Sequence, residues 1–409
     1  MTKDRELGPI RRRTFLLGTF ATFAASATFG QSAARRTAAV GLPSLFLKQL
    51  PQLMEWANVP GLAVATLKNG KPSWSDGFGV KKEGETAPVT ADTLFGAASL
   101  SKPALAYAVL RMRDEKLIDL DRPLWDYLPY EDLPEGDQAK QITARHVLSH
   151  STGLQNWRFN RDQKLAFAFG PGERFQYSGE GYYYLQRVLE QITGRGFEGY
   201  MQERVLKPLG MANSTFTWYA GAEQKAAWGH NPQKTPVESF NAQRGRQMLS
   251  TAEQWNKPLT SWKHGDVAGA YREANKDAPV FPNFLLPNTA GSLFTSVNEY
   301  ALFMSRLLRS RNDGLDLSDA SRREMFTPQT KINAAISWGL GLGLENFNGN
   351  QYFWHWGDNG VFKAFMMGEP ASGNGVVVFV NSQNGHRMWQ RIIAEAMGRD
   401  HPATYFYMT

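Results

Sequence analysis

The chain has 409 residues, 42% of them apolar, 12% aromatic and 20% charged. This is enough for one large α/β domain or two to three smaller ones, and it excludes wholesale disorder. A net charge of +7 with no basic stripe gives no footprint for nucleic acid, and the absence of cysteine excludes disulfides, thiolate catalysis, cysteine-ligated zinc and iron–sulfur clusters.

Residues 1–33 read as an address. Arg12-Arg13-Thr14-Phe15-Leu16 matches a twin-arginine motif, and a weakly apolar run to Gly30 follows it. Small residues at Ala25-Ser26-Ala27 and Gln31-Ser32-Ala33 offer cleavage sites. The run is shorter than the roughly 20 residues needed to span a bilayer. The expectation is therefore a periplasmic or secreted protein, exported by the twin-arginine route, with no stable membrane span once the signal is removed.

A helix is predicted over Leu45–Trp56. Two strands follow in Gly61–Val80, with Asn69-Gly70 as the hairpin turn. Ser101–Lys116 places Leu105, Ala108, Val109 and Met112 on one helical face. Further helical stretches are Ala144–His150, Tyr182–Thr193 and Phe197–Val205. Residues 217–285 are polar, rich in Gln, Asn and Trp, and read as an ordered insertion over a cleft. A helix is expected over Leu293–Leu308. Strands follow at Trp338–Glu345, Tyr352–Trp356, Phe362–Gly368 and Gly375–Asn381, with a last helix at His386–Met397. Closely spaced strands with short loops imply an antiparallel sheet. The predicted fold class is α/β: an antiparallel sheet flanked by helices plus a mainly helical second domain. The expected division is 34–105 and 286–409 for the sheet domain, and 106–285, with the insertion at 217–285, for the helical one.

Three motifs carry chemistry. In Ser99-Leu100-Ser101-Lys102, a helix entered at Ser99 brings Lys102 one turn on, within reach of the serine oxygen. Serine is a weak nucleophile until a neighbouring base takes its proton, and a lysine whose pKa is lowered by burial serves. The helix N-terminus adds backbone N–H groups for a developing oxyanion. The second motif is Tyr177-Ser178-Gly179 and the third is His355-Trp356-Gly357, followed by Asp358. A tyrosine beside a lysine acts as general acid or base. A histidine on a nearby strand polarises the pair or binds a substrate carboxylate. His146 and His150 have metal-ligand spacing, but no glutamate follows His146 and no third ligand is evident, so both are read as structural and no metal or cofactor is expected.

In this order the motifs resemble the serine β-lactamase-related family: class C β-lactamases, D-alanyl-D-alanine carboxypeptidases and family VIII-type esterases. Ile142 to Leu154, Pro171 to Tyr177, Leu209-Gly210-Met211 and Ala290 to Thr295 look like further landmarks, so the similarity runs from about Trp56 to Asn381, with residues 217–285 the exception. The resemblance implies a β-lactamase/transpeptidase-like fold and an acyl-enzyme. Ser99 would be the nucleophile, Lys102 and Tyr177 its proton-handling partners, and His355 would stand at the third-motif cation. The oxyanion hole would be the Ser99 and Asp358 N–H groups, with Gly179, Trp356 and Gly357 beside the substrate.

Two positions depart from the family pattern. Gly179 stands where an asparagine amide usually holds a substrate carbonyl, and Trp356 where a hydroxyl usually lies near the substrate carboxylate. Each lost contact would cost about 1–3 kcal/mol for a substrate needing it. The expected function is thus hydrolysis of an ester or amide, of which a D-amino-acid peptide or a β-lactam are instances, acting on a small-molecule or peptide substrate. The alternative is a penicillin-binding-type protein that acylates slowly or only binds a peptidoglycan-like ligand. Neither the scissile bond nor the oligomeric state is legible.

Overall fold

The computed structural model describes residues 41–160 and 162–406. The twin-arginine segment and its cleavage sites lie outside them. Eight strands form one antiparallel sheet, in the order Lys71–Gly79, Gly61–Lys68, Asn374–Val380, Lys363–Glu369, Asn350–Asp358, Gly343–Phe347, Ile336–Trp338 and Thr330–Lys331. The N-terminal hairpin thus joins the C-terminal strands, with Ala63 opposite Phe379.

The two-residue period of a strand divides the interior in two. Ala63, Ala65, Leu67, Val377 and Phe379 face one core, which they share with the helices Ser101–Asp114 and Val297–Leu308. Leu62, Val64, Val376 and Val378 face the other, covered by Ser44–Ala57 and His386–Met397. Among the described residues no helix is long and apolar enough to cross a membrane.

Four stretches differ from the sequence reading in ways that matter. The run from Trp338 to Glu345 is two strands rather than one, because Gly339 and Gly341 turn the chain: the Gly339 amide donates to the Leu342 carbonyl at 2.8 Å, and Gly341 has φ +81°. The helix expected from Leu293 starts at Val297, since Ser296 caps it by accepting from the Glu299 amide. Phe294–Thr295 instead pairs with Phe95–Gly96. The helix Ser101–Asp114 is buried continuously from Ser101 to Leu110 rather than on one face, being the central helix of its core. Residues 217–285 contain the helices Phe240–Gln254 and His264–Ala274. They close a small core of their own around Met248, Trp262, Val267 and Tyr271, into which Tyr183 projects from the helix Gly179–Thr193.

Candidate active site

Strand Asn350–Asp358 pairs with Gly343–Phe347 only as far as Trp354. Beyond that point His355–Asp358 is paired on one side alone, with Lys363–Met366. The turn carrying Ser99 packs against this half-open stretch. A side chain at Gly357 would collide with the Ala97 carbonyl, so only glycine lets the two backbones approach this closely. Ala98 itself sits at φ 49°, a left-handed conformation costing about 1–2 kcal/mol for a residue with a Cβ. The surroundings hold it there: Ser101 Oγ donates to the Ala98 carbonyl at 2.6 Å, and Tyr300 donates to that of Leu100 at 2.8 Å.

Lys102, at the first turn of its helix, is 1% exposed. Its Nζ lies 3.1 Å from Ser99 Oγ and donates to the Ala290 carbonyl at 2.7 Å. It also sits 4.6 Å from the centre of the Tyr177 ring. Burial lowers its pKa well below the ordinary lysine value. A neutral amine beside a serine hydroxyl is a proton acceptor.

Tyr177 precedes the helix Gly179–Thr193, whose N-cap Ser178 accepts from the Gly181 amide at 3.0 Å. Its ring stacks on His150 with centroids 4.0 Å apart, and the His150 Nδ1 accepts from the Ser178 amide at 3.0 Å. Burial raises the phenol pKa and the Ser99 side chain pulls it partly back, although the hydroxyl makes no hydrogen bond of ordinary geometry. The resting phenol is therefore protonated.

His355 is fully buried, and its pKa is pushed down to about 3 by that burial and then by Lys102. With Nδ1 2.7 Å from the Trp356 carbonyl, the donor is assigned to Nδ1, leaving the Nε2 lone pair without a hydrogen-bond partner among the described residues. A histidine held this way is uncharged at neutral pH and presents no cation to a substrate carboxylate.

Beside this centre lies a cleft of about 410 Å³, bordered by Gly96, Trp157, Phe240, Gly291, Asp358 and Phe362 among others. Larger cavities of about 560 and 520 Å³ lie around Glu198–Thr260 and Gly194–Lys263, and none of the proposed reactive residues lines them. Ser99, Lys102, Tyr177 and His355 do not line the 410 Å³ cleft either, but Asp358, which follows Gly357 on the half-open strand, does, and its lining residues Gly96 and Gly291 lie close along the chain to Ser99 and Ala290. The Asp358 carboxylate accepts from Lys363 Nζ and from the Gly360 amide.

Of the other residues singled out from sequence, Gly179 and Trp356 do not line the cleft. The Trp157 indole covers Gly179. Trp356 packs among Trp338, Trp354, Tyr177 and Phe406. His146 Nδ1 accepts from the Thr143 amide in a helix-capping arrangement, while His150 supports Tyr177. Trp262 and His264 belong to the insertion core, where His264 meets the Tyr183 hydroxyl. Trp157, which covers Gly179, and the Ala290 carbonyl, which holds Lys102, lie outside the three motifs. Nothing local in the sequence marks either, since both act on residues far away along the chain.

The Beta-lactamase family model matches residues 48–396. Among curated proteins the chain is 23% identical over 290 residues to Protein flp of Staphylococcus aureus, covering 62% of this chain and 56% of that protein. It is 27% identical over 215 residues to Esterase EstB of Burkholderia gladioli, covering 46% and 54%. The chain thus spans little more than half the length of these relatives. Among solved structures, an octameric penicillin-binding protein homologue from Pyrococcus abyssi matches with TM-score 0.66 at 21% identity, covering 87% of this chain and 77% of that one. A β-lactamase/D-alanine carboxypeptidase from Pseudomonas syringae matches with TM-score 0.67 at 15% identity, covering 88% and 99%. At such identities the likeness shows the fold, which is of the β-lactamase/transpeptidase type.

Proposed function

The chain belongs to the Beta-lactamase family, and from that premise we propose that it is an exported serine hydrolase that cleaves an ester or amide through an acyl-enzyme on Ser99. The observation that carries this reading is the approach of a buried Lys102 Nζ to within 3.1 Å of Ser99 Oγ. Lys102, uncharged, takes the Ser99 proton as Oγ attacks the substrate carbonyl. The negative charge that develops on the carbonyl oxygen is met by the Ser99 and Asp358 N–H groups. As the tetrahedral intermediate collapses, the Tyr177 phenol gives its proton to the leaving alcohol or amine. The phenolate so formed takes a proton from water, which attacks the acyl group. Lys102 then returns its proton to Ser99 Oγ, and the cycle closes with all protons restored. His355, buried and neutral, lies edge-on to the Tyr177 ring with centroids 6.4 Å apart and supplies no cation. Export is assigned to Arg12-Arg13.

Treatment with a mechanism-based acylating agent, followed by intact-mass and peptide analysis, tests the reading. One adduct on the peptide containing Ser99, and none on Ser99→Ala, is expected, together with continuous turnover of an activated ester. An adduct elsewhere defeats the assignment. A single stoichiometric burst without turnover would mark a binding protein instead.

A further inference from the structure

Resting on the hydrolase reading, we infer that the cleft beside Asp358 receives an uncharged, ring-bearing acyl group, selected by an aromatic wall that includes Trp157, Phe159 and Phe240. The wall also contains Phe284, with Phe294 and Phe362 at its buried floor. Phe159 is 61% exposed and Phe240 41%. Single exposed aromatics are ordinary, but two on the rim of one apolar cleft next to the reactive centre form a surface that gains by being covered.

Several polar groups of the wall are engaged within the protein, whereas the buried Asn283 Oδ1 has no hydrogen-bond partner among the described residues. The Asn241 and Asn359 side-chain amides both donate to the Gly291 carbonyl, at 3.3 and 2.8 Å. The Asp358 carboxylate holds Lys363 Nζ and the Gly360 amide. What remains for a ligand is π surface and one unpaired acceptor, the Asn283 Oδ1, which offers nothing to a carboxylate. Of the positive charge near the site, Lys363 is tied to Asp358, Lys102 and His355 are buried and shifted toward their neutral forms, and the Arg244 guanidinium is stacked on the Phe240 and Tyr271 rings at 5.2 and 4.6 Å. A carboxylate entering here would lose its water and meet the Asp358 carboxylate in return. A volume of about 410 Å³ exceeds the roughly 150 Å³ that accepts a benzene, so a phenyl group and its linker fit.

Three p-nitrophenyl esters sharing one leaving group test this: the acetate, the phenylacetate, and the phenylacetate with a para-carboxylate on its ring. kcat/KM should rise by roughly 10- to 100-fold from acetate to phenylacetate, and the ring carboxylate should abolish the gain. Phe159→Ala and Phe240→Ala should each lower the phenylacetate-to-acetate ratio by about two- to tenfold, the worth of an aromatic contact. Equal values for the first two esters, or preference for the carboxylated one, would overturn the inference while leaving the hydrolase reading standing. A gain for benzyl acetate over methyl acetate with none for phenylacetate would move the ring to the alcohol side and overturn the acyl assignment. No turnover of any ester and no adduct on Ser99 would defeat the hydrolase reading and this inference together.

Discussion

The Trp157 indole lies against the α-carbon of Gly179, in the space a side chain on residue 179 would need. It is held there from both sides. The Asn156 side-chain oxygen accepts from the Gly179 amide at 2.8 Å, and Arg158 pairs with buried Glu180 at 2.9 Å. Glycine at the end of the second motif is therefore matched to a tryptophan 22 positions earlier in the chain. Gly179→Asn alone should overpack this contact and lower stability by about 1–3 kcal/mol, read as a shift in the urea midpoint. Gly179→Asn with Trp157→Ala should recover much of that loss. An unchanged midpoint in the single variant would show that the indole moves aside freely.

The proximity of Ser99, Lys102 and Tyr177 predicts strongly non-additive kinetics. Ser99→Ala, Lys102→Ala and Tyr177→Phe should each reduce kcat by at least about 10²–10⁴, and combinations should cost little more. Because the working form of Lys102 is the free amine, wild-type kcat/KM should rise with pH through the lowered pKa of this lysine. Multiplying losses in the double variants would mean that the three groups serve separate steps.

Much of this arrangement was legible in the sequence, for identifiable reasons. The hairpin of Gly61–Lys68 and Lys71–Gly79 follows from the Asn69-Gly70 turn after the apolar run that begins at Gly61, and Ser99 and Lys102 meet because three residues make almost one helical turn. The last helix, His386–Met397, carries a clean apolar stripe through Met388, Trp389, Ile392 and Ile393. What escaped depends on contacts between distant segments. The turn at Gly339–Leu342 is hidden in an otherwise strand-like run. The fit of Trp157 on Gly179 has no local signature. His355 reads as a possible cation until its neighbours bury it, since strand periodicity gives a side chain's face but not its distance from water.

That burial has a consequence for stability. His355 is held to a pKa of about 3 in the folded chain against 6.5 for an ordinary histidine. Between these values the unfolded chain binds a proton that the folded chain refuses, so the contribution is lost as pH falls below about 6.5 and levels off near 3. His355→Asn should flatten the fall in urea midpoint measured from about pH 7 down to about pH 4. The same slope in wild type and variant would mean that His355 takes up a proton without unfolding.

The proposed export would depend on residues outside the described structure and is tested in the cell. Replacing Arg12 and Arg13 together by Lys keeps the charge but removes the guanidinium pair that the twin-arginine route reads. The precursor should then accumulate in the cytoplasm, seen as uncleaved protein on fractionation. Normal delivery of the variant would defeat the twin-arginine reading.

Gly357 offers the sharpest test of how the reactive turn is placed. Its α-carbon faces the Ala97 carbonyl and the Ala98 methyl, so Gly357→Ala must push the turn away from the strand or bend the strand itself. Either movement separates the Ser99 amide from the Asp358 amide, the two donors assigned to one oxyanion, while Lys102 keeps its anchor on the Ala290 carbonyl. Misplacement of this order costs about 10²-fold in rate. The loss should fall mainly on kcat rather than KM, because the oxyanion exists only in the transition state and the intermediate. The pH at which activity rises should stay near the wild-type value, since burial, the cause of the lowered Lys102 pKa, persists. A folded Gly357→Ala protein with wild-type kcat would show that the turn tolerates displacement. A loss confined to KM would place Gly357 in substrate binding instead.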